Sequence, residues 1–175
     1  MEELLARMMR AAKLDVQVYE EVEADQGATW QAASVVVLSS VAAALGVANM
    51  PGNPGVFVVT VGALIGWVCW AGVIYLIGGK LLPEPQTEVD VSQLMRTLGF
   101  AQAPGVLRVL GLVPLIGPLI ATVASVWMIV AMVVAVRQAL DYKSTGRAIA
   151  VCVLGFIAYG IVITAILGLL VGSAS

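Results

Sequence analysis

Between Val109 and Val136 the chain carries no charged residue, yet Pro114 and Pro118 stand near the start of that run. Proline lacks a backbone N–H and disfavours helix in the residue before it, so Val113-Pro114-Leu115-Ile116-Gly117-Pro118 reads as a turn between two apolar helices. The second, residues 119–136, is long enough to cross a hydrocarbon core of roughly 30 Å. The first, residues 94–113, is interrupted by Arg96, Gln102, Pro104 and Arg108. It either crosses or dips in and returns.

Basic residues decide between the two, because short cytoplasmic connections collect Lys and Arg. If residues 94–113 cross, then Arg7, Arg10, Lys13, Lys80, Arg96, Arg137, Lys143 and Arg147 all face the cytoplasm, and none faces outward. If they return, the loop carrying Arg137, Lys143 and Arg147 is exported, against the charge rule. Crossing is therefore expected, with the N-terminus inside and Ser175 outside.

Hydrophobic residues make up 61% of the 175, charged residues only 11%, and the mean hydropathy is +1.00. That balance leaves too little polar surface for a soluble domain. The expected fold is all-α: a polytopic membrane helix bundle of about five spans of roughly 20 residues each. They fall at about 30–48, 56–79, 94–113, 119–136 and 148–171 in a domain covering 27–175, with residues 1–26 as a cytoplasmic amphipathic helix.

In that N-terminal region Leu4, Leu5, Met8, Ala12, Val16 and Tyr19 recur at three- and four-residue spacing, with Arg7, Arg10 and Lys13 on another side. The charges interrupt any signal-peptide core. The basic half suits anionic headgroups, whereas the acidic stretch 20–25 is a solvated helix end or a docking site for a partner. Trp30 sits where an interfacial anchor belongs. Gly62 and Gly66 in the second span, and Gly117, Ala121, Ser125, Ala131 and Ala135 in the fourth, form small-residue seams suited to internal packing or to a neighbouring helix. Residues 81–93 read as a solvated linker with Pro83 and Pro85, after which Ser92 could cap the third helix with an incomplete capping box.

The chain has no histidine, which removes the usual zinc ligand, general base and proximal haem ligand together. No carboxylate falls inside an expected span, which argues against an aspartyl membrane protease and a proton relay. No phosphate-cradling glycine loop or calcium loop can be written onto the sequence. The net charge of −2 and the absence of a dense basic cluster speak against nucleic acid. Cys69 and Cys152 lie within spans as small apolar residues. No enzyme, cofactor or metal site is expected.

Arg108 keeps function open, because an arginine within a span costs at least about 2.5 kcal/mol unless something relieves it. It lies about 21 Å along a helix rising 1.5 Å per residue, nearer the outer end. Either it snorkels to headgroups or bonds carbonyls freed around Pro104 and Pro114, or with Gln102 it lines a polar crevice for a lipid headgroup or another anion. In the cytoplasmic loop, Asp141 lies one turn after Arg137 and can pair with it, Gly146 permits reversal, and Arg147 anchors the next span. Gln102, Arg108, Arg137, Asp141 and Arg147 are thus the candidate lipid or partner contacts.

Three stretches resemble the bacterial branch of the Yip domain family: Leu98-Gly99-Phe100-Ala101-Gln102-Ala103-Pro104-Gly105, Ala124-Ser125-Val126-Trp127, and Arg137-Gln138-Ala139-Leu140-Asp141 followed by Thr145-Gly146-Arg147-Ala148. The resemblance spans about 150 residues, from the first span to the end. It implies a bundle of about five helices with a cytoplasmic N-terminus in a family named for interaction with Rab-type GTPases. Many eukaryotic relatives carry a long soluble N-terminal region, which is not expected here.

The leading expectation is a non-enzymatic scaffold that organises membrane lipids, other membrane proteins or copies of itself through its small-residue seams. The rival is a permease or lipid-handling protein using the broken third helix and Arg108. A third possibility is an accessory subunit of a larger membrane complex.

Overall fold

The computed structural model describes residues 2–172, together with their side chains except at 163 and 165–172. Ser175 lies outside the described residues. Among them every regular element is helical: α1 Glu2–Ala12, α2 Val16–Ala24, α3 Ala28–Gly46, α4 Val56–Ile74, α5 Val91–Phe100, α6 Gly117–Ala139 and α7 Thr145–Gly172. A π-helical turn, Tyr75–Leu81, prolongs α4, and a 3-10 helix, Ala103–Leu112, follows α5.

The expected single N-terminal amphipathic helix is two helices folded into a hairpin. Leu14 takes a left-handed conformation (φ 61°), and the Asp15 carboxylate caps α2 by accepting from Gln17 N–H at 3.0 Å. The basic and acidic halves then meet each other. Arg10 binds Asp15 and Glu21, each at 2.7 Å, and Arg7 binds Asp25 at 2.9 Å as well as Glu3 and the Gln31 side chain. These partners hold the Asp15, Glu21 and Asp25 carboxyls below their ordinary range. Leu5 and Met9 remain exposed on α1, while Met8, Ala11, Val18, Tyr19 and Val22 are buried.

After α3, Asn53 donates to the carbonyls of Ala44 (3.3 Å) and Val47 (3.2 Å), satisfying acceptors at the helix end, and Gly52 and Gly55 supply the positive φ of the turn. α5 begins at a complete capping box formed by Asp90 and Gln93, not at Ser92.

Four helices are individually long and apolar enough to cross a membrane: Ala28–Gly46, Val56–Leu81, Gly117–Ala139 and Thr145–Val162. The expected third span is two pieces rather than one helix. Pro104 cannot donate to the preceding turn, and the chain tightens into 3-10 geometry there. Its course is nonetheless unbroken. A Cβ on Gly99 would meet Ala32, one on Gly105 would meet Ser39, and one on Gly111 would meet Gly46, so residues 91–112 run beside α3 in the same direction. α6 returns from Gly117, with Pro118 in its first turn as proline prefers, to the level of the π-turn, where Leu140 packs on Gly78. α7 then leaves in the direction of α3.

Most small-residue seams are used internally. Ala124, Ala131 and Ala135 are buried, Gly117 sits on the Gly111 backbone, and Gly66 faces Tyr159 of α7.

Candidate functional site

The two ends of the bundle treat their charges differently. At the hairpin end, Arg96 of α5 is only 4% exposed. Its Nε donates to the carbonyls of Val22 and Glu23 at 3.0 Å, Nη1 reaches Ser92 at 3.0 Å, and Nη2 also bonds the Glu23 carbonyl. Those carbonyls belong to the last turn of α2, whose acceptors lack intrahelical partners and whose dipole favours a cation. Arg96 thereby fastens the hairpin to the bundle. Glu23 itself is half-buried, and burial together with the nearby Asp141 pushes its carboxyl up to about 7.

The loops at this end form one platform. Tyr142 donates to the carbonyls of Gly78 (2.9 Å) and Leu82 (2.7 Å), Thr87 to that of Leu140 (2.7 Å), and Gln86 to that of Asp141 (2.9 Å). Arg147 holds the carbonyls of Leu82 and Pro83 at 3.1 Å and lies 3.6 Å from Glu84. Residues 81–93 are therefore docked rather than free. Arg137 does not pair with Asp141: it donates to the carbonyls of Tyr142 (3.2 Å) and Lys143 (3.4 Å). Asp141 makes the chain reversal with φ 51°, whereas Gly146 lies inside the first turn of α7. Arg137, Asp141 and Arg147 come together here as parts of a connection between loops.

At the opposite end, Gln102 and Arg108 share a cavity of about 460 Å³ between α4, α5, α6 and α7. α4 packs on α3, α5 and α7, while α6 packs on α2, α5, α7 and the 3-10 helix, so α4 and α6 face each other across the void. Its walls are aromatic and aliphatic. Trp70 stacks at a tilt on Phe156 with centroids 4.6 Å apart and meets Tyr159 edge-on at 6.1 Å; Met128 and Met132 complete the lining. A second cavity of about 320 Å³ lies under the α3–α4 turn, against Ala44, Val47, Asn53 and Pro54. Arg108 and Ser125 line both.

Arg108 Nε is buried and has no hydrogen-bond partner among the described residues, and neither does the Trp70 indole N–H on the wall of the larger cavity. Ser39 Oγ, against Gly105, is a third such group. The carbonyls expected around Pro104 and Pro114 do not receive that Arg108 nitrogen. A buried donor without an acceptor costs about 1–3 kcal/mol, more when charged, so this crevice favours an occupant that brings oxygen.

The sequence reading gave Arg96, Tyr142 and Trp70 no place among the candidate contacts. Arg96 left one trace: it is the one charge in the stretch 94–107. Tyr142 and Trp70 left none.

The model of the Yip1 domain matches residues 16–170. The chain belongs to the Yip1 domain family. The match begins at the first residue of α2, so the second arm of the hairpin lies inside the Yip1 domain with the apolar helices. No curated protein and no solved structure matches the chain. Membership and the long apolar helices make it an integral membrane protein.

Proposed function

We propose that this Yip1-domain protein is a non-enzymatic organiser of its membrane, of the bacterial branch and the bacterial cytoplasmic membrane, which holds an anionic lipid at the Arg108 crevice. The observation carrying this reading is the buried, unpartnered Arg108 Nε between two cavities. A buried guanidinium nitrogen with no acceptor among the described residues suits an anion.

The proposed topology follows from two further observations. α5 and the 3-10 helix, ten residues each, reach about 35 Å end to end at 1.5 and 2.0 Å per residue, enough for a fifth crossing beside α3. Arg7, Arg10, Arg96, Arg137 and Arg147 gather at the hairpin end, which the charge rule puts in the cytoplasm. Arg108 then belongs to the outer end. Labelling of a Lys143→Cys variant in intact cells tests this: protection is expected, and modification from outside overturns the map.

Lipid retention tests the function. The full chain purified in maltoside should carry an anionic lipid in native mass spectra, and Arg108→Leu should lose it while keeping the same monodisperse peak in gel filtration. Equal retention by both removes the reading.

A scaffolding role toward another membrane protein is favoured separately by Gly62 on α4, which faces open space among the described residues and leaves room for a neighbouring backbone. Crosslinking from a Gly62→Cys variant should capture a partner or a second copy; only lipid adducts would count against it.

A further inference from the structure

The crevice has a shape as well as a charge. Its cation stands where two separate cavities meet. The larger is walled by Trp67, Trp70, Met128, Met132 and Phe156 and suits hydrocarbon. The smaller lies beneath Asn53 and Pro54 of the turn after α3, walled by Ala43, Ala44, Val47 and Val59. Gly46 ends α3 with its Cα against the Arg108 carbonyl, so the arginine lies at the level of that turn and not at mid-bundle.

A ligand with its anion at Arg108 and its body in only one cavity leaves the other unfilled. A carboxylate ends its chain, and a phosphate monoester has one substituent; neither extends past the cation in both directions. A phosphodiester does. We infer that the Arg108 crevice, read above as a lipid site, is built for a phosphodiester lipid: phosphate on Arg108, head substituent in the smaller cavity beneath Asn53, and the glycerol and acyl portion in the aromatic cavity. Guanidinium and phosphate match as fork to oxygen pair, and the Trp70 N–H offers a second donor to any oxygen carried into the larger cavity. A head substituent under the α3–α4 turn belongs to a lipid of the leaflet at that end.

The inference rests on the lipid reading but can fail without it. Trp67 and Trp70 report on the larger cavity, so Trp30→Phe and Trp127→Phe in the full chain remove the two tryptophans outside its lining. In maltoside, lipids with dibrominated chains should quench the remaining fluorescence saturably. The diester phosphatidylglycerol is expected to bind at least tenfold more tightly than phosphatidic acid or the free fatty acid, and millimolar inorganic phosphate should not displace it. Arg108→Gln should abolish the quench. Ala121→Phe, which fills the smaller cavity and leaves the arginine, should erase the diester preference while fatty-acid binding persists.

If diester, monoester and fatty acid bind alike and all require Arg108, the two-sided inference falls and the lipid reading stands. If no lipid quenches, or Arg108→Gln changes nothing, both fall. Displacement by inorganic phosphate alone makes the site one for the free ion and overturns the lipid assignment. Should Arg108→Gln not fold, Ala121→Phe decides the inference: an unchanged diester preference overturns it.

Discussion

Arg96 and Arg108 lie on the same stretch of chain, one on α5 and one on the 3-10 helix, and they have opposite fates. Arg96 is almost wholly buried and donates to Val22, Glu23 and Ser92. Arg108 is half-buried, and its Nε donates to nothing. The first arginine is satisfied by the end of a neighbouring helix, which supplies carbonyls aimed at it. The second shares its cavity with side chains of Trp, Met and Ser, and at the nearest turn of α3 Asn53 takes the Ala44 and Val47 carbonyls. A buried cation with a ready-made acceptor holds structure together; one without is available to a ligand.

The sharpest attack on this contrast removes the frame that both arginines depend on. A side chain at Gly46 collides with the Arg108 carbonyl, a backbone atom that cannot swing aside. Gly46→Leu should therefore abolish the monodisperse peak in gel filtration, whereas Gly62→Leu, in open space, should leave it intact.

Next in size is Arg96→Leu. It strips charge-assisted bonds from two carbonyls at the end of α2, and a loss of about 3 kcal/mol is expected from bonds of roughly 1.5–3 kcal/mol each. The thermal transition should fall, and limited proteolysis should cut between α2 and α3. A protease-resistant hairpin would show that Arg96 is not its fastening.

Glu23 gives a smaller effect that depends on pH. Its carboxyl is raised to about 7 in the fold from an ordinary 4.5, so the folded state holds its proton more tightly. Stability linked to Glu23 is complete below pH 4.5 and is lost as the pH rises to about 7. Glu23→Gln should raise the thermal transition at pH 8 and leave it unchanged at pH 4. The paired carboxyls of Asp15, Glu21 and Asp25 act in the other sense: their contribution is present above about pH 4 and fades on acidification.

The smallest expected change in stability is that of Arg108→Leu. Removing a donor that has no acceptor should leave the transition of the lipid-free protein where it was, or raise it. A fall like that of Arg96→Leu would dissolve the contrast.

Much of this architecture was legible. The proline turn at 113–118, the apolar helices and the position of Arg108 toward the end opposite the N-terminus follow from hydropathy and from where the charges lie. Periodicity could not show that residues 2–24 fold back on themselves, because the hinge is Leu14 in a left-handed conformation, which leucine seldom adopts. Nor could it show the tightening of the chain after α5 into a 3-10 helix, which Pro104 only hints at. The partners of Arg137 and Arg147 were illegible for a different reason. They are backbone carbonyls brought from distant loops, and a carbonyl has no letter in a sequence. The crevice was half legible: Gln102 and Arg108 stood out as polar residues in an apolar stretch, but Trp70 joins them only through the packing of α4 on α7.

Gly46, Gly111 and Gly117 bring three stretches of main chain into direct touch at the far end of the bundle. With glycine at each contact, no side chain separates α3, the 3-10 helix and α6 there. A lipid bound as proposed above would enter sideways through the seam between α4 and α6, straight from the bilayer.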